Sequence, residues 1–449
     1  MIGRTVNGSL LRLSLLLLVI AVGFGVALPV ERASAQAGST AALTVDPGTS
    51  RGTISRYVYG VNYGPWALVP PDLWPLAKEA QISYLRFPAG NWGDRNDIQT
   101  TQIDLLMLFA KQIGAEPTIT VRLYNGTPEK AAELVRYTNI EKKYGVTYWS
   151  IGNEPNLLPE EFPNDSPSLP ELITNWRSIA EAMLAVDPTI KFVGPDISQY
   201  PYSADAPAYL TKIRDFLSDF LKANGDLISI VTIHRYPFPL SINAPATTIE
   251  QLKSTAAEWD YIIPNLREVV KEATGRDLPV GVTEINSHWN KPMGGPASVE
   301  SHYNAIWWAD VLGRLIRQKT DMVAFWLLGS YGELGGHGLL AKYEARPTYY
   351  VYPMYKMLGE ELLTSSTDSQ DVSITAAKRA DGALTLMLVN LSTEERQVTL
   401  SISGMDAVKA AETWRFDPEH NAEQVATDES LAGTVTLPGQ SMTLYVIAP

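Results

Sequence analysis

Between positions 57 and 362 the sequence alternates eight times between a short run of β-branched and aromatic residues and a longer run with apolar residues every three or four positions. That alternation leaves few folds open. The short runs predict strands over 57–64, 82–88, 116–123, 147–151, 191–195, 227–233, 278–283 and 322–325. The periodic runs predict helices over 72–79, 101–113, 128–143, 169–186, 208–223, 249–274, 298–318 and 350–362. In the second of these, Ile103, Leu106, Met107 and Ala110 fall on one face. Strands separated by crossover helices run parallel, and eight such units close on themselves rather than forming an open sheet. The expected class is therefore α/β, a (β/α)8 TIM barrel over 57–363.

From about Thr364 the texture changes to short alternating runs at 372–377, 384–390, 397–402, 433–437 and 441–447, with turn signals at Asp381-Gly382 and Pro438-Gly439. This pattern predicts a C-terminal all-β sandwich domain over 364–449. Two short strands at 41–45 and 53–57, separated by Asp46-Pro47-Gly48, precede the barrel. Residues 36–56 are expected to pair into the sandwich. The length of 449 residues accommodates a barrel of about 250 residues plus such a domain.

Residues 1–35 have the layout of a secretory signal peptide: Arg4 and Arg12, an apolar run over 13–30, and Ala33-Ser34-Ala35 before Gln36. The run is also long enough for an uncleaved membrane anchor. Either way the chain reads as secreted or held at the cell envelope, with cleavage after Ala35 favoured by the Ala-x-Ala site. It has no cysteine, so disulfides and thiolate metal sites are excluded. The formal charge is −13, and residues 1–35 contribute a net +2, leaving −15 on the remainder. Nucleic acid and acidic membranes are poor partners for such a chain.

The fourth strand runs into Gly152-Asn153-Glu154-Pro155, and Pro155 forbids its continuation as an interior strand. A carboxylate held at a strand end among aromatics suits a general acid in a partly apolar site. The seventh strand ends in the same way, at Thr283-Glu284. Glycoside hydrolysis needs two such carboxyls flanking the bond that breaks. Asn153-Glu154-Pro155 followed far downstream by Thr283-Glu284 resembles clan A of the glycoside hydrolases, retaining enzymes built on a (β/α)8 barrel. The resemblance implies Glu154 as acid/base and Glu284 as nucleophile. It also implies that Tyr236 bonds the nucleophile, that Asn153 holds the sugar 2-hydroxyl, and that His234 and Arg86 order the nucleophile's surroundings. The segment from Arg86 to Asn91 is similar to the Pro-Gly-Gly-Asn segment of α-L-arabinofuranosidases, with Ala89 in place of the first glycine. Asn153 to Leu157 is similar to the β-xylosidase and heparanase-like β-glucuronidase families.

Barrel active sites sit at the C-terminal ends of the strands, which adds Asn91, Trp92 and Trp326 as carbohydrate-binding candidates, with Trp66 and Trp289 as further aromatic faces. Asp94 and Asp97 read as cleft walls. Asp196 and Glu333 compete with the glutamates as cleft carboxylates or are solvated loop charges, and His288 completes the census. The five histidines lack the spacing of a metal site, no Gly-x-Ser-x-Gly elbow occurs, and Gly335-Gly336-His337-Gly338 lacks the strand and helix of a phosphate cradle. No metal or cofactor is expected, and carbohydrate is the expected partner. The chain is thus expected to be a retaining glycosidase, with a transglycosylase or a carbohydrate-binding barrel without catalysis as alternatives.

Overall fold

The computed structural model describes residues 40–449 except 239–243, 291–293, 331–335, 406–407, 428–429 and 432. The signal-like segment and Glu333 lie outside the described residues. Eight parallel strands form a closed barrel: β2 (Gly60–Asn62), β3 (Tyr84–Phe87), β4 (Glu116–Val121), β5 (Tyr148–Ile151), β6 (Lys191–Ile197), β7 (Ile228–Arg235), β8 (Val280–Ile285) and β9 (Met322–Phe325). Closure comes from β9 pairing with β2, Gly60 opposite Ala324 and Val61 opposite Phe325.

Side chains alternate across a strand, so each barrel strand has an inner and an outer row. Tyr84, Val193, Ile230, Met322 and Ala324 form a small apolar cluster of their own, apart from the large core shared with the helices. Two residues further along the same rows, that cluster gives way to the buried polar residues Arg86 and Thr232, and four further along to His234. An apolar floor thus carries a polar layer under the mouth. Gly60 is needed to seat that floor, because a Cβ there would lie 2.2 Å from the Tyr84 ring and 2.4 Å from the Val323 carbonyl.

Strand β1 (Ala41–Thr53) joins the C-terminal strands β10 (Glu361–Thr367), β11 (Val372–Lys378), β12 (Leu384–Asn390), β13 (Arg396–Ile402), β14 (Glu412–Asp417), β15 (His420–Val425), β16 (Gly433–Leu437) and β17 (Ser441–Ile447) in one nine-stranded sheet. Strand β10 pairs with β11 at only two positions but with β1 at seven. The sheet therefore folds over at that seam, and both halves contribute to one core: Leu43, Val45, Leu363 and Leu400 from one, Ile374, Leu386, Leu388 and Tyr445 from the other. The opposite faces of β12 and β17, through Met387, Val389, Met442 and Leu444, join the barrel core. The helix His302–Arg317 packs against β11, β12 and β17 as well as barrel helices, so it is buried nearly all round despite its amphipathic start.

Several boundaries differ from expectation for local reasons. The segment 53–57 is not a strand but leads into a 3-10 turn at Arg56–Val58, and Asp46-Pro47-Gly48 is an irregularity within β1, where Asp46 accepts from the Gly48 amide at 2.9 Å. The closing helix ends at Lys356 rather than 362, because Gly359 adopts φ +102° and the chain enters β10 at Glu361. The hairpin of β14 and β15 was missed because His420–Val425 carries few apolar residues. Among the described residues no helix is long and apolar enough to cross a membrane.

Candidate active site

Strand β5 ends at Ile151, and Gly152 turns the chain with φ +82°. Asn153 and Glu154 follow, Glu154 itself in the left-handed region at φ 49° and ψ 50°. That conformation costs a non-glycine residue roughly 1–3 kcal/mol and persists only when neighbours hold it. Two bonds do so: the Asn153 amide donates to Asp94 Oδ2 at 2.6 Å, and the Glu154 amide donates to the Asp196 carbonyl at 3.0 Å. Asp94 also accepts from the amides of Leu123 at 2.6 Å and Tyr124 at 3.1 Å. Burial pushes its carboxyl up, against these three donors. Asp94 is therefore a buried clamp on the ends of β4 and β5 rather than a cleft wall. Asp97 is not a wall of the catalytic cleft either: it pairs with Arg122 and Lys130 in a separate hollow.

Arg86, fully buried on β3, is the centre of the polar layer. Its guanidinium donates to Asn62 Oδ1 at 3.0 Å, Glu284 Oε2 at 2.9 Å, Asn153 Oδ1 at 2.7 Å and Asp196 Oδ2 at 3.2 Å. Asp196 is neither a cleft carboxylate nor a solvated charge. It is buried beneath the mouth as the counter-ion of Arg86 and accepts from the hydroxyls of Ser150 at 2.8 Å, Thr232 at 2.5 Å and Thr283. Burial works to raise its pKa, but the charges of Arg86 and His234 and these hydroxyls overcome it and hold the carboxyl below its ordinary value.

Glu284, near the end of β8, receives Arg86 on one oxygen and the Tyr236 hydroxyl on the other, at 2.7 Å. Burial pushes its carboxyl up and the charge of Glu154 adds to this, while His234, Arg86 and Tyr236 oppose. The Tyr236 hydroxyl is itself pushed well above its usual value by burial and by Glu284, so it stays a donor. His234 borders both glutamates: its Nδ1 lies 3.0 Å from Glu154 Oε1, a ring nitrogen lies within 4.8 Å of a Glu284 oxygen, and Nε2 is 3.8 Å from Asp196. One oxygen each of Glu154 and Glu284 and one ring nitrogen of His234 lie within 4.8 Å of one another. Such a trio has the spacing of metal ligands, but Arg86 already supplies positive charge at Glu284.

These groups open into a cleft of about 940 Å³ that Asn91, Trp92, Asn153, Tyr236 and Trp326 also line. Trp326 tilts against Trp66, with ring centroids 5.9 Å apart, and Trp289 is 44% exposed at the mouth. His288 is turned away from this site, bonded to Thr247 and Ser287, and burial pulls it down to about 4, so it is neutral.

A family model described as glycosyl hydrolases family 39 matches residues 129–393, a span that contains Glu154, His234, Tyr236, Glu284 and Trp326. The chain belongs to glycosyl hydrolase family 39. With that family comes clan A. Mouse heparanase is 26% identical over 318 residues, which is 65% of this chain and 54% of that protein, and the bovine heparanase is 24% identical over 333 residues. This family 39 chain thus spans about half the length of the curated relatives it matches. Among solved structures, CelM2, a bifunctional glucanase-xylanase from a metagenome library, aligns with TM-score 0.72 at 19% identity over 91% of this chain and 99% of that one. A family 44 xyloglucanase of Paenibacillus polymyxa aligns with TM-score 0.70 at 16% identity, covering 92% and 100%. The α-L-arabinofuranosidase of Thermotoga maritima gives 0.66 at 17%, covering 91% and 99%. These likenesses establish the shared barrel-plus-sheet fold.

Two residues of this family 39 site were not legible in the sequence. Gln199, after β6, lines the cleft, and its Oε1 accepts from Arg235 Nη1 at 3.2 Å and the Tyr236 amide at 3.3 Å. The side-chain NH2 is then the part of the amide left for a ligand. Glu161, on the short helix Leu158–Glu161, joins Arg95 across the mouth at 2.9 Å. Neither has a local signal beyond lying just after a barrel strand.

Proposed function

We propose that this chain is a retaining glycosidase that cleaves O-glycosidic bonds in a polysaccharide or oligosaccharide by double displacement. The observation that carries the reading is the approach of a Glu154 oxygen to a Glu284 oxygen within 4.8 Å. Retaining enzymes place their carboxyl groups about 5–5.5 Å apart, whereas inverting ones leave room for a water.

The hydrogen bonds divide the roles. Glu284, with a guanidinium and a phenol donating to its two oxygens, is the ionised nucleophile. Glu154 has no guanidinium or phenol on its carboxyl among the described residues; its Oε1 faces a ring nitrogen of His234 and its side chain reaches the cleft, which leaves it the acid/base role. In the first step a Glu284 oxygen bonds to the anomeric carbon while the bond to the departing oxygen breaks and Glu154 protonates that oxygen. In the second, Glu154 takes a proton from water, whose oxygen bonds to the anomeric carbon and releases Glu284. Arg86 and Tyr236 hold the nucleophile's carboxylate in place throughout. Asn153, fixed by Arg86 and by Asn91 Oδ1 at 2.8 Å, is positioned for the sugar 2-hydroxyl, and Trp326 offers a flat apolar face to the ring. Export on the signal-like residues 1–35 accords with action on an extracellular glycan.

The test is hydrolysis of a panel of aryl glycosides and polysaccharides, with the anomeric configuration of the first-formed product followed by NMR. Turnover with retention, abolished by Glu284→Gln and rescued by azide in a Glu154→Ala variant, is the expected result. Inversion, or unchanged turnover in Glu284→Gln, overturns the assignment.

A further inference from the structure

Behind the cleft wall lies a buried ion pair that takes no part in the double displacement. Side chains alternate along β7 and the residue after it, so His234 and Tyr236 turn inward to Glu154 and Glu284 while Arg235 between them turns away from the cleft. Arg235 is 5% exposed. Its Nε and Nη2 donate to Glu258 Oε2 at 2.9 and 2.7 Å, and its guanidinium carbon lies 4.7 Å from the centre of the Tyr202 ring. Burial pushes the Glu258 carboxyl up, and Arg235 opposes this. A pair taken out of water in this way is seldom worth more to stability than apolar residues of the same volume, because the lost hydration offsets the attraction. The remaining nitrogen, Nη1, reaches back to the cleft wall and donates to Gln199 Oε1 at 3.2 Å.

Gln199 has φ +60°, a conformation that a residue other than glycine rarely adopts and that recurs at ligand sites. It is held from both sides: the Ser198 amide donates to Asn156 Oδ1 at 2.9 Å and the Tyr200 amide to the His234 carbonyl at 3.4 Å. Two N–H groups, Arg235 Nη1 and the Tyr236 amide at 3.3 Å, then meet the side-chain oxygen. A donor cannot bond the NH2 end of an amide, so these two settle which end points back and which is left for the cleft. Gln199 lines the cleft, and among the described residues no acceptor meets its NH2.

We propose that Arg235 and Glu258 are positioning residues: the pair locks the Gln199 amide with its N–H donors toward the glycan, so that the site meets an acceptor oxygen of a sugar hydroxyl there and offers none of its own. Glu258 fixes Arg235, Arg235 fixes the amide, and neither charged residue touches the sugar. The inference rests on the glycosidase reading of the cleft but is separable from it by experiment.

The test uses the full chain, the aryl glycoside that it cleaves best, and analogues of that glycoside in which fluorine replaces one hydroxyl at a time, other than at C2. Fluorine accepts a hydrogen bond weakly and donates none, and its intrinsic effect on reactivity cancels when a variant is compared with wild type. Gln199→Glu keeps the bonds from Arg235 and the Tyr236 amide but faces the cleft with an acceptor, which a hydroxyl satisfies by turning and fluorine cannot. The hydroxyl-over-fluorine preference in kcat/KM is expected to rise roughly tenfold at one ring position in Gln199→Glu. At the same position it is expected to rise roughly threefold in Arg235→Lys, which keeps a cation opposite Glu258 but lacks the fork that reaches Gln199. The acid limb of the Arg235→Lys pH–rate profile is expected to stay where it is in wild type, since Tyr236 still meets Glu284. A preference unmoved in either variant, or raised alike at every position, overturns the inference, as does an acid limb shifted in the manner of Tyr236→Phe. Should Arg235→Lys lose its cooperative thermal transition, Gln199→Glu decides alone. If wild type cleaves none of the glycosides, the hydrolase reading falls, and calorimetry makes the same comparison on the parent and fluorinated forms of the glycoside that binds tightest. A change at one position then keeps the inference, and its absence overturns it.

Discussion

Replacing Tyr236 with phenylalanine isolates the contribution of one hydrogen bond to Glu284, the proposed nucleophile. The hydroxyl donates to Glu284 Oε1 at 2.7 Å from a buried position, and phenylalanine keeps the ring in its packing. A hydrogen bond to a charged group contributes about 1.5–3 kcal/mol. At 1.36 kcal/mol per pKa unit, losing it from the ionised form alone raises the carboxyl by roughly one to two units. The sign follows from the structure. Burial already pushes Glu284 up, and the Tyr236 donor is among the groups that oppose this. Its removal therefore moves the acid limb of the kcat/KM profile to higher pH. The measurement is a pH–rate profile of Tyr236→Phe beside wild type, with thermal unfolding as the check on folding. An acid limb that stays in place or moves to lower pH refutes the reasoning and, with it, the role of Tyr236 as support for an ionised Glu284.

Glu284→Gln is expected to be inactive yet more stable than wild type at neutral pH. With the folded carboxyl raised above its unfolded value, ionisation works against folding as pH rises through the folded pKa, so the gain in melting temperature should shrink toward acid pH, as scanning fluorimetry across pH would show. Asp94→Asn turns an amide donor toward the amides of Leu123, Tyr124 and Asn153. It should cost about 2 kcal/mol or more in stability, and kcat should fall more than tenfold because Glu154 loses its anchor; unfolding curves and steady-state rates check both. Gln199→Ala removes the cleft-facing amide and should raise KM about fivefold, the worth of one neutral hydrogen bond, with a smaller effect on kcat. A Gln199→Ala variant with unchanged KM would show that this amide does not touch substrate.

The barrel and its two glutamates were legible because both are written locally. Short β-branched and aromatic runs, period-3.6 helices and a Gly-Asn-Glu-Pro break are short-range patterns, and the order of Glu154 and Glu284 along eight units survives errors of a few residues at each boundary. Asp196 was misread because its neighbours come from three other strands, Ser150 on β5, Thr232 on β7 and Thr283 on β8. No window of sequence around Gly194-Pro195-Asp196 contains them. Asp94 was misread in the same way, since its acceptor role exists only once the ends of β4 and β5 lie beside it. His234 could be placed at a strand end, but how close its ring comes to Glu154 and to Glu284 depended on the stagger between β7 and β8, where the pairing shifts between Ile233 and His234.

The sequence by itself determined that eight strands alternate with helices in a closed barrel and that two carboxylates stand at the ends of the fourth and seventh of those strands. Only the tertiary structure decided which of the buried charges balance one another, that a ring nitrogen of His234 meets Glu154, and that Arg95 is bound to Glu161 across the mouth. The physical reason is range. Backbone geometry repeats over two to four residues and leaves its mark in the chain, whereas electrostatic balance in a buried layer is set by groups a few ångströms apart in space and scores to hundreds of residues apart in sequence, Arg86 and Glu284 being 198 apart.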